Sequence, residues 1–292
     1  MINIKGVSIT EHASLKNLNT YKLDSHADYL IKVETTEGLI EVLKYLKKEN
    51  IKYFILGAGS NIIIDEYFKG AIIKLTGLNK ITIKDKTVTC ESGAMMGSLS
   101  CATIDANLTG LEWAINIPGT VGGSIVGNAG AYKSEMFDTL ISIKVLDEFL
   151  NIKELKKKDI KHAYRDTDLK RKNWIVLEAT FVLEQGNKES SLELIEDRKE
   201  RRKNTQPLDM PSAGSVFRNP EGDHAGRLIE ASGLKGYKIG GAEVSKKHAN
   251  FIVNTGNATS NDIKNLIKYV HTQVLEKFGI DLILEQEIID WK

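Results

Sequence analysis

IPGTVGGSIVGNAGAY, residues 117–132, is the stretch of this sequence that most constrains the fold. Five glycines stand in it, at 119, 122, 123, 127 and 130. Glycine loses more conformational freedom on folding than any other residue, so such a span usually persists because a backbone must pass close to something. We interpret the stretch as a loop whose backbone approaches a pyrophosphate. A glycine-rich crossover inside the core is the alternative.

A second glycine loop, GAGSN at 57–61, lies between the apolar runs IKYFIL and NIIID. It lacks the GxGxxG pattern of a Rossmann dinucleotide site, because position 62 is isoleucine and no helix pattern follows. Neither loop contains the glycine-lysine-serine/threonine triplet of an ATP-binding P-loop. The two loops together therefore predict a dinucleotide cofactor, although 57–61 alone is also compatible with a plain turn between strands.

Helix and strand patterns alternate along the chain without a repeat, which predicts an α+β fold. Helices are predicted after Thr35, in MGSLSCATIDANL (96–108), in the charged segment SLELIEDRKERRKN (191–204), and after Thr259, where Asp262 has capping-box spacing. Strand patterns mark the runs IKYFIL (51–56), NIIID (61–65), AIIKL (71–75), KITIKD (80–85), KTVTCES (86–92), ISIKVLDE (141–148), WIVLEATFVL (174–183), NFIVN (250–254) and DLILEQEII (281–289).

A domain boundary is predicted near residue 204. Two of the four prolines fall in TQPLDMPSAGS, directly after the charged helix. The sequence therefore predicts three α+β units, at residues 1–85, 86–204 and 205–292.

Charge and composition exclude several classes of protein. Lysine plus arginine number 40 and aspartate plus glutamate 39, so the basic excess of a nucleic-acid-binding protein is missing. The richest basic run, KELKKKDIK (153–161), has interleaved acids, which is typical of a solvated helix face. Cys90 and Cys101 lack metal-ligand spacing and the histidines are scattered, so no metal site is predicted.

The N-terminal residues lack the long apolar core of a signal peptide, and no apolar run approaches membrane-spanning length. Two cysteines fit a reducing compartment better than a disulfide framework. We therefore expect a cytoplasmic protein that binds neither nucleic acid nor membrane. Nothing in the sequence predicts an obligate protein partner.

The two glycine loops resemble the FAD-binding loops of the UDP-N-acetylenolpyruvoylglucosamine reductase (MurB) family. The resemblance implies a two-part FAD-binding domain of vanillyl-alcohol-oxidase (PCMH) type, followed by a C-terminal α+β substrate-binding domain. At 292 residues the chain resembles the shorter form of the family, which lacks an extra tyrosine-bearing loop. Further blocks resemble the family in the same order: AYRDTD (163–168), PSAGSVFRNP (211–220), AGRLIEASGLKGYKIGGAEVSKKHANFIVNTGNAT (225–259) and FGIDLILEQEII (278–289).

The reaction that this resemblance implies is the reduction of UDP-N-acetylglucosamine enolpyruvate to UDP-N-acetylmuramate in peptidoglycan precursor synthesis, with NADPH as co-substrate and FAD as bound cofactor. Hydride reaches the terminal carbon of the enolpyruvyl group, charge builds up on the neighbouring carboxylate, and a proton must reach the adjacent carbon. By resemblance, Arg165 would bind the carboxylate through its guanidinium fork and Ser215 would supply the proton. For Arg165 alone, a surface ion pair with Asp166 or Asp168 is the alternative.

Glu285 is the third residue that matches a catalytic position of the family. The segment LEQE offers two glutamates, and an ungapped count from Phe278, like the spacing from His248, assigns the position to Glu285 rather than Glu287. On a continuous strand both side chains would point to one face, so direction alone does not decide. A carboxyl beside a developing anion should be protonated, which burial near an apolar flavin would favour.

The resemblance also assigns binding residues. Toward the substrate these are Tyr164, Arg218, Asn219 and His248, with a buried structural tyrosine and a locally bonded histidine as the alternatives for Tyr164 and His248. Thr205 stands where some relatives carry lysine, so a phosphate contact there is not assigned. The cofactor contacts are Gly57, Ala58, Gly59, Ser60, Asn61, Pro118, Gly119, Thr120, Gly122, Gly123, Ser124, Asn128 and Ala129.

Two other functions remain open from the sequence. An FAD-dependent oxidase of alcohols or lactones would share the glycine loops but not the set of Arg165, Ser215 and Glu285. A catalytically silent nucleotide-binding protein would bind flavin weakly, or would bind it without reactivity towards NADPH. The complete set of three residues favours the reductase over both.

Overall fold

The computed structural model describes residues 4–289, so the outermost residues of the predicted first and third domains, 1–3 and 290–292, lie outside the description. The helices are α1 (Thr36–Lys48), α2 (Met96–Asp105), α3 (Val121–Val126), α4 (Met136–Thr139), α5 (Lys188–Thr205), α6 (Ala225–Ala231) and α7 (Ser260–Phe278). The strands are β1 (Val7–Ser14), β2 (His26–Val33), β3 (Tyr53–Ile55), β4 (Ile62–Ile64), β5 (Tyr67–Lys74), β6 (Ile81–Lys84), β7 (Thr87–Glu91), β8 (Leu108–Thr109), β9 (Gly130–Ala131), β10 (Ser134–Glu135), β11 (Leu140–Leu146), β12 (Ile152–Lys156), β13 (His162–Ala163), β14 (Asp166–Thr167), β15 (Ile175–Val182), β16 (Glu184–Gln185), β17 (Lys238–Ile239), β18 (Ala242–Val244), β19 (Ile252–Asn254) and β20 (Glu287–Ile289).

The described residues form two compact units, each assembled from separate segments of the chain. The division into three domains at residues 85 and 204 stays a prediction. The first unit takes in the described residues up to Glu11, Tyr29–Ala58 and Gly70–Lys199, and the second takes in His12–Asp28, Gly59–Lys69 and the described residues from Glu200 onwards.

Helix α1 begins where the sequence predicts it. Thr35 is the N-cap, and its side chain accepts a hydrogen bond from Gly38 N at 3.0 Å, which satisfies a backbone donor that the helix cannot. The buried face of α1, which includes Leu39, Val42 and Leu46, packs with residues of β2 and β5 in one hydrophobic core. The sheet that contains these strands has the order β1-β2-β5-β3, with β3 parallel to β5.

A five-stranded antiparallel sheet in the order β12-β11-β15-β7-β6 also belongs to the first unit. The sequence of its central strand β15 predicts Ile175, Leu177, Ala179 and Phe181 on one face, and all four are buried, but that prediction is wrong for the first two. Ile175 and Leu177 pack in the core of α1, whereas Ala179 and Phe181 pack in another core, because the pairing with β11 shifts register between these pairs. This sheet contributes β7, β11 and β15 to a core that also includes residues of the glycine-rich stretch. The core therefore fixes where that stretch lies in the first unit.

The basic run KELKKKDIK is not a helix, and that prediction is wrong. Its first residues lie in the edge strand β12, which pairs antiparallel with β11, and a 3-10 turn, Lys157–Asp159, follows. The pattern of charges favours a helix, but the segment pairs with the buried strand β11 instead. Strand formation depends more on the adjacent strands than on the local preference of the residues. Lysines on an edge strand also discourage further pairing with another chain.

Helix α7 organises the core of the second unit. Its capping box is complete: Thr259 Oγ1 accepts from Asp262 N at 3.1 Å, and an oxygen of Asp262 accepts from Thr259 N at 2.9 Å. The buried side chains of α7, among them Ile263, Leu266 and Val270, pack in one core with residues of α6 and of the antiparallel sheet β17-β18-β19. Each fully buried side chain of this kind contributes about 1.5–3 kcal/mol.

The predicted strand at 281–289 is much shorter in the structure. Only Glu287–Ile289 forms a strand, β20, which pairs in parallel with β4. Leu284 makes an isolated bridge, and Gln286 lies in a bend. The alternation that would place Glu285 and Glu287 on one face therefore does not apply, because Glu285 stands before the strand.

Two findings complete the description of the fold. None of the helices within residues 4–289 combines the length and the apolar character that a membrane span requires. The same residues contain no group of three or more histidine, cysteine, aspartate or glutamate side chains placed to hold a metal ion. Cys90 and Cys101 are free thiols, and burial raises the pKa of the Cys90 thiol to about 12.

Candidate active site

Arg165 is carried by a tight hairpin of the first unit. Strands β13 and β14 pair antiparallel, and Tyr164 and Arg165 form the two-residue turn between them. Arg165 has φ +57°, in the left-handed region, which costs a residue with a side chain roughly 1–2 kcal/mol. Backbone strain of this kind is found at functional sites, where the surrounding structure holds it in place.

Hydrogen bonds fasten this hairpin to the glycine-rich stretch. Arg165 Nη1 donates to Asn128 O at 3.4 Å, and Arg165 Nη2 donates to Gly130 O. Asn128 Nδ2 donates in return to Ala163 O at 2.9 Å. A predicted catalytic residue and a predicted cofactor residue are thus in direct contact.

Tyr164 lies on the surface of the hairpin. It is 47% exposed, which excludes the alternative of a buried structural tyrosine. The guanidinium of Arg165 lies 5.0 Å from the centre of its ring, within the range of a cation–π contact. Asp166, an alternative partner of Arg165, pairs with Arg171 at 3.0 Å.

The two glycine loops meet inside the first unit. A Cβ atom on Gly57 would lie 2.8 Å from Thr120 Oγ1, so the missing side chain allows the two loops to approach each other. Lys74 Nζ donates to Gly57 O, and burial, together with nearby Lys32, lowers the pKa of Lys74. Lys74 is a cation beside a predicted phosphate loop and was not predicted. The feature of the sequence that could have indicated it is its position as the single charged residue in the apolar run AIIKL.

Two glycines of the glycine-rich stretch are explained by close packing within the protein rather than by the predicted approach to a pyrophosphate. A Cβ atom on Gly122 would lie 2.8 Å from Ser92 Cβ, and one on Gly130 would lie 2.3 Å from Ser134 O. These glycines let the protein pack closely against itself, so their presence carries no information about a pyrophosphate. The stretch is also not a loop throughout, because α3 occupies its middle. The cofactor contact of Gly122 stays a prediction.

The stretch nevertheless fits a flavin cofactor. Asn128 is fully buried, and its Oδ1 has no hydrogen-bond partner among residues 4–289. A buried acceptor without a donor costs about 1–3 kcal/mol, which indicates that another molecule supplies the donor. The isoalloxazine ring of FAD carries an N–H group of that kind. The donors and acceptors present are therefore compatible with FAD.

Ser215 and Glu285 lie on neighbouring segments of the second unit. Glu285 N donates to Val216 O at 2.8 Å, and Phe217 forms an isolated antiparallel bridge with Leu284. Ser215 and Glu285 are both half-buried. Two of the three predicted catalytic residues are thus brought together, whereas Arg165 belongs to the first unit.

Asn61, predicted as a cofactor contact, also holds the segment of Glu285. Its Nδ2 donates to Glu285 O at 3.1 Å, and its backbone oxygen accepts from Glu287 N at 2.9 Å. Gly59 in the same loop accepts a hydrogen bond from Thr20 N at 3.0 Å. The side chain of Asn61 therefore holds the segment of Glu285, a contact that the motif GAGSN did not indicate.

The predicted substrate contacts Arg218, Asn219 and His248 all lie in the second unit. Asn219 is exposed, and its Oδ1 accepts from Ala225 N at 3.1 Å at the start of α6. His248 Nδ1 accepts from Asn250 N at 3.2 Å, and burial lowers the pKa of His248, so its ring is neutral near pH 7. The Nε of Arg218 is buried without a hydrogen-bond partner in the described part of the chain. Their roles toward a substrate stay predictions.

Comparison with known proteins first defines the class. A family model described as an FAD-binding domain matches residues 27–149, which include both loop 57–61 and the whole glycine-rich stretch. A second model, described as the C-terminal domain of UDP-N-acetylenolpyruvoylglucosamine reductase, matches residues 206–289. The chain is therefore an FAD-dependent oxidoreductase, and the predicted cofactor class is confirmed.

The relatives then define the family. The chain is 45% identical, over 95% of its length and 92% of the relative, to the UDP-N-acetylenolpyruvoylglucosamine reductase of Caldanaerobacter subterraneus subsp. tengcongensis. It is 44% identical to the reductase of Fusobacterium nucleatum subsp. nucleatum, over 97% of this chain and 99% of that protein. The crystal structure of the reductase (MurB) from Thermus caldophilus matches it with a TM-score of 0.82 at 32% identity, covering 97% of this chain and 99% of that one. The chain belongs to the UDP-N-acetylenolpyruvoylglucosamine reductase family.

This membership also settles the fold class. The α+β fold with an FAD-binding domain followed by a C-terminal domain of the reductase family, predicted from the resemblance, is confirmed, and the vanillyl-alcohol-oxidase type of the FAD-binding domain stays a prediction.

Proposed function

We propose that the chain reduces UDP-N-acetylglucosamine enolpyruvate to UDP-N-acetylmuramate, a step of peptidoglycan precursor synthesis, with NADPH as electron donor and FAD as bound cofactor. The observation that supports this most is the pairing of the Ser215 segment with the Glu285 segment, in a chain that belongs to the reductase family. An alcohol or lactone oxidase on the same scaffold has no need of a proton donor beside a second acid. A silent nucleotide-binding protein has no need of either residue.

FAD, when bound, supplies hydride transfer between NADPH and the enolpyruvyl group. Asn128 Oδ1 offers it a buried acceptor, and Lys74 adds positive charge beside Gly57. The residues proposed to hold it are Gly57, Ala58, Gly59, Ser60, Asn61, Pro118, Gly119, Thr120, Gly122, Gly123, Ser124, Asn128 and Ala129.

Arg165 is proposed to bind the carboxylate of the enolpyruvyl group. Negative charge develops there as hydride arrives at the terminal carbon, and a planar guanidinium matches a carboxylate in two parallel hydrogen bonds. The carbonyls of Asn128 and Gly130 accept from the two Nη atoms and hold the guanidinium in place. The fork is therefore oriented before the charge forms.

Ser215 is proposed to donate the proton to the carbon next to the carboxylate. A hydroxyl is a weak acid, so the developing alkoxide must be stabilised by its surroundings. A protonated Glu285 on the neighbouring segment adds no competing negative charge and can donate a hydrogen bond. The hydrogen bond between Glu285 N and Val216 O keeps the two residues on adjacent segments.

Arg165→Lys is expected to lower kcat/KM for the enolpyruvyl substrate about 100-fold, because lysine keeps the charge but loses the two-pronged geometry. Reduction of the bound flavin by NADPH should keep its rate. Arg171→Lys is the matched control, since Arg171 lies on the same segment, is 62% exposed, and pairs with Asp166. Steady-state kinetics of the three proteins decide: equal losses in both variants, or none in either, would remove Arg165 from the proposal.

The remaining contacts and the location complete the proposal. Tyr164, Arg218, Asn219 and His248 are proposed to contact the UDP-sugar. Arg218 and Asn219 can donate through their side-chain nitrogens, as phosphate and hydroxyl groups require. The chain is proposed to act in the cytoplasm without an obligate protein partner, and its two free thiols suit a reducing compartment.

The function is tested by the identity of the compound that reoxidises the NADPH-treated holoprotein without oxygen. UDP-N-acetylglucosamine enolpyruvate should do so, and UDP-N-acetylglucosamine, which lacks the enol ether, should not. Reoxidation by an alcohol's oxidised counterpart instead would favour the oxidase.

A further inference from the structure

Gln286 stands between the two glutamates of the catalytic segment and differs from both in its burial. Only 3% of Gln286 is exposed, whereas Glu285 and Glu287 are half-buried. A buried amide must find hydrogen-bond partners, because leaving its groups unpaired costs more than burying an apolar side chain would. The partners of Gln286 therefore indicate why this position is polar.

Each end of the Gln286 amide is hydrogen-bonded within the second unit. Its Oε1 accepts from the hydroxyl of Tyr21 at 3.0 Å, and Tyr21 is itself fully buried. Its Nε2 donates to Ala213 O at 3.0 Å and to Gly214 O at 3.3 Å. Burial raises the pKa of Tyr21, which keeps the phenol neutral and able to donate.

These bonds hold the chain on the N-terminal side of Ser215. Gly214 directly precedes Ser215, has φ +74°, and would have open space around a Cβ atom, so packing alone does not fix it. On the C-terminal side, Val216 O accepts from Glu285 N at 2.8 Å. The chain is therefore held by hydrogen bonds on both sides of Ser215. The backbone N–H of Glu285 bonds to the residue after it, and the side chain of Gln286 bonds to the two residues before it.

We propose that Gln286 is a positioning residue that fixes Ser215 relative to Glu285, with Tyr21 as its support. The inference rests on the proposed roles of Ser215 and Glu285. Gln286 takes no part in the chemistry itself: its amide orients the serine by restraining the two carbonyl groups before it. A misplacement of about 1 Å in a reacting group can cost roughly 100-fold in rate, so a restraint on the backbone next to the proton donor has a measurable effect.

The experiment separates the two half-reactions by stopped-flow absorbance without oxygen, on holoproteins loaded with FAD. Gln286→Met keeps an unbranched side chain of similar size and removes all three hydrogen bonds. Tyr21→Phe removes only the hydroxyl and leaves both bonds to the carbonyls. Val274→Ala is the control for general destabilisation, since Val274 is fully buried on α7 and belongs to the same core.

We expect Gln286→Met to be reduced by NADPH at the wild-type rate and to be reoxidised by saturating enolpyruvyl substrate about 10- to 100-fold more slowly. For Tyr21→Phe we expect reduction by NADPH at the wild-type rate and a reoxidation rate that is lowered only a few-fold. Val274→Ala should lower the melting temperature and leave both rates unchanged.

Reoxidation of Gln286→Met at the wild-type rate would overturn the inference, and so would an equal loss in Val274→Ala. Should Gln286→Met not fold, Tyr21→Phe decides, and a wild-type rate there would overturn it. A wild-type protein that the substrate cannot reoxidise would instead overturn the proposed function.

Discussion

Ser215→Ala is expected to give a holoprotein that NADPH reduces at the wild-type rate and that the enolpyruvyl substrate reoxidises about 10²- to 10⁴-fold more slowly, the range of a lost general acid. That range corresponds to about 2.7–5.5 kcal/mol in the barrier of the second half-reaction alone. The selectivity has a physical reason. The hydroxyl is needed only when a proton must reach carbon, which happens after reduction by NADPH is complete.

Ser212→Ala is the matched control for this variant, because Ser212 lies in the same segment, is also half-buried, and has no proposed role. Stopped-flow absorbance without oxygen gives both rates for the wild type and the two variants. Normal reoxidation of Ser215→Ala would remove Ser215 as the proton donor. An equal defect in Ser212→Ala would assign the loss to the segment rather than to the hydroxyl.

Glu285→Gln is expected to slow the same half-reaction about 100-fold or more, while Glu287→Gln stays within a few-fold of the wild type. The two glutamates differ in their surroundings. Glu285 precedes β20 and hydrogen-bonds through its backbone to Val216 and Asn61, whereas Glu287 is a β20 residue opposite Ile62 of β4. The backbone bond of Glu285 joins it directly to the segment of Ser215.

Each variant of this pair serves as the control for the other, because both replace a carboxyl by an amide of the same shape within three residues. Steady-state rates at saturating substrate are sufficient to compare them. The reverse order, with Glu287→Gln defective and Glu285→Gln normal, would show that the assignment by ungapped count is one step out of register.

Patterns that depend on neighbouring residues in the chain predicted much of the fold. The helix caps at Thr35 and Thr259 lie where the sequence predicts them, because each depends on contacts only a few residues away. KELKKKDIK shows the limit of such patterns. Its charges suit a helix, but the open edge of β11 lies far off in the sequence and decides the outcome.

The candidate site was predictable where a family motif names a residue, and less so where the fold supplies the support. No local signal marks Gln286 or Tyr21, since their hydrogen bond joins residues 265 positions apart. The turn that carries Arg165 has φ +57° without the glycine or asparagine that usually reveals such a conformation. The glycine at position 122 is explained by a contact that the sequence did not indicate, because it faces Ser92 of its own chain.

The measurement that tests the central claim most directly is a visible absorbance spectrum of the FAD-loaded protein without oxygen, with NADPH added first and UDP-N-acetylglucosamine enolpyruvate second. We predict that NADPH bleaches the flavin bands and that the enol ether restores them in one-to-one stoichiometry. Bleaching without recovery would leave a flavoprotein with another acceptor. The absence of flavin bands after incubation with FAD would contradict the claim that the chain binds FAD and uses it in this reduction.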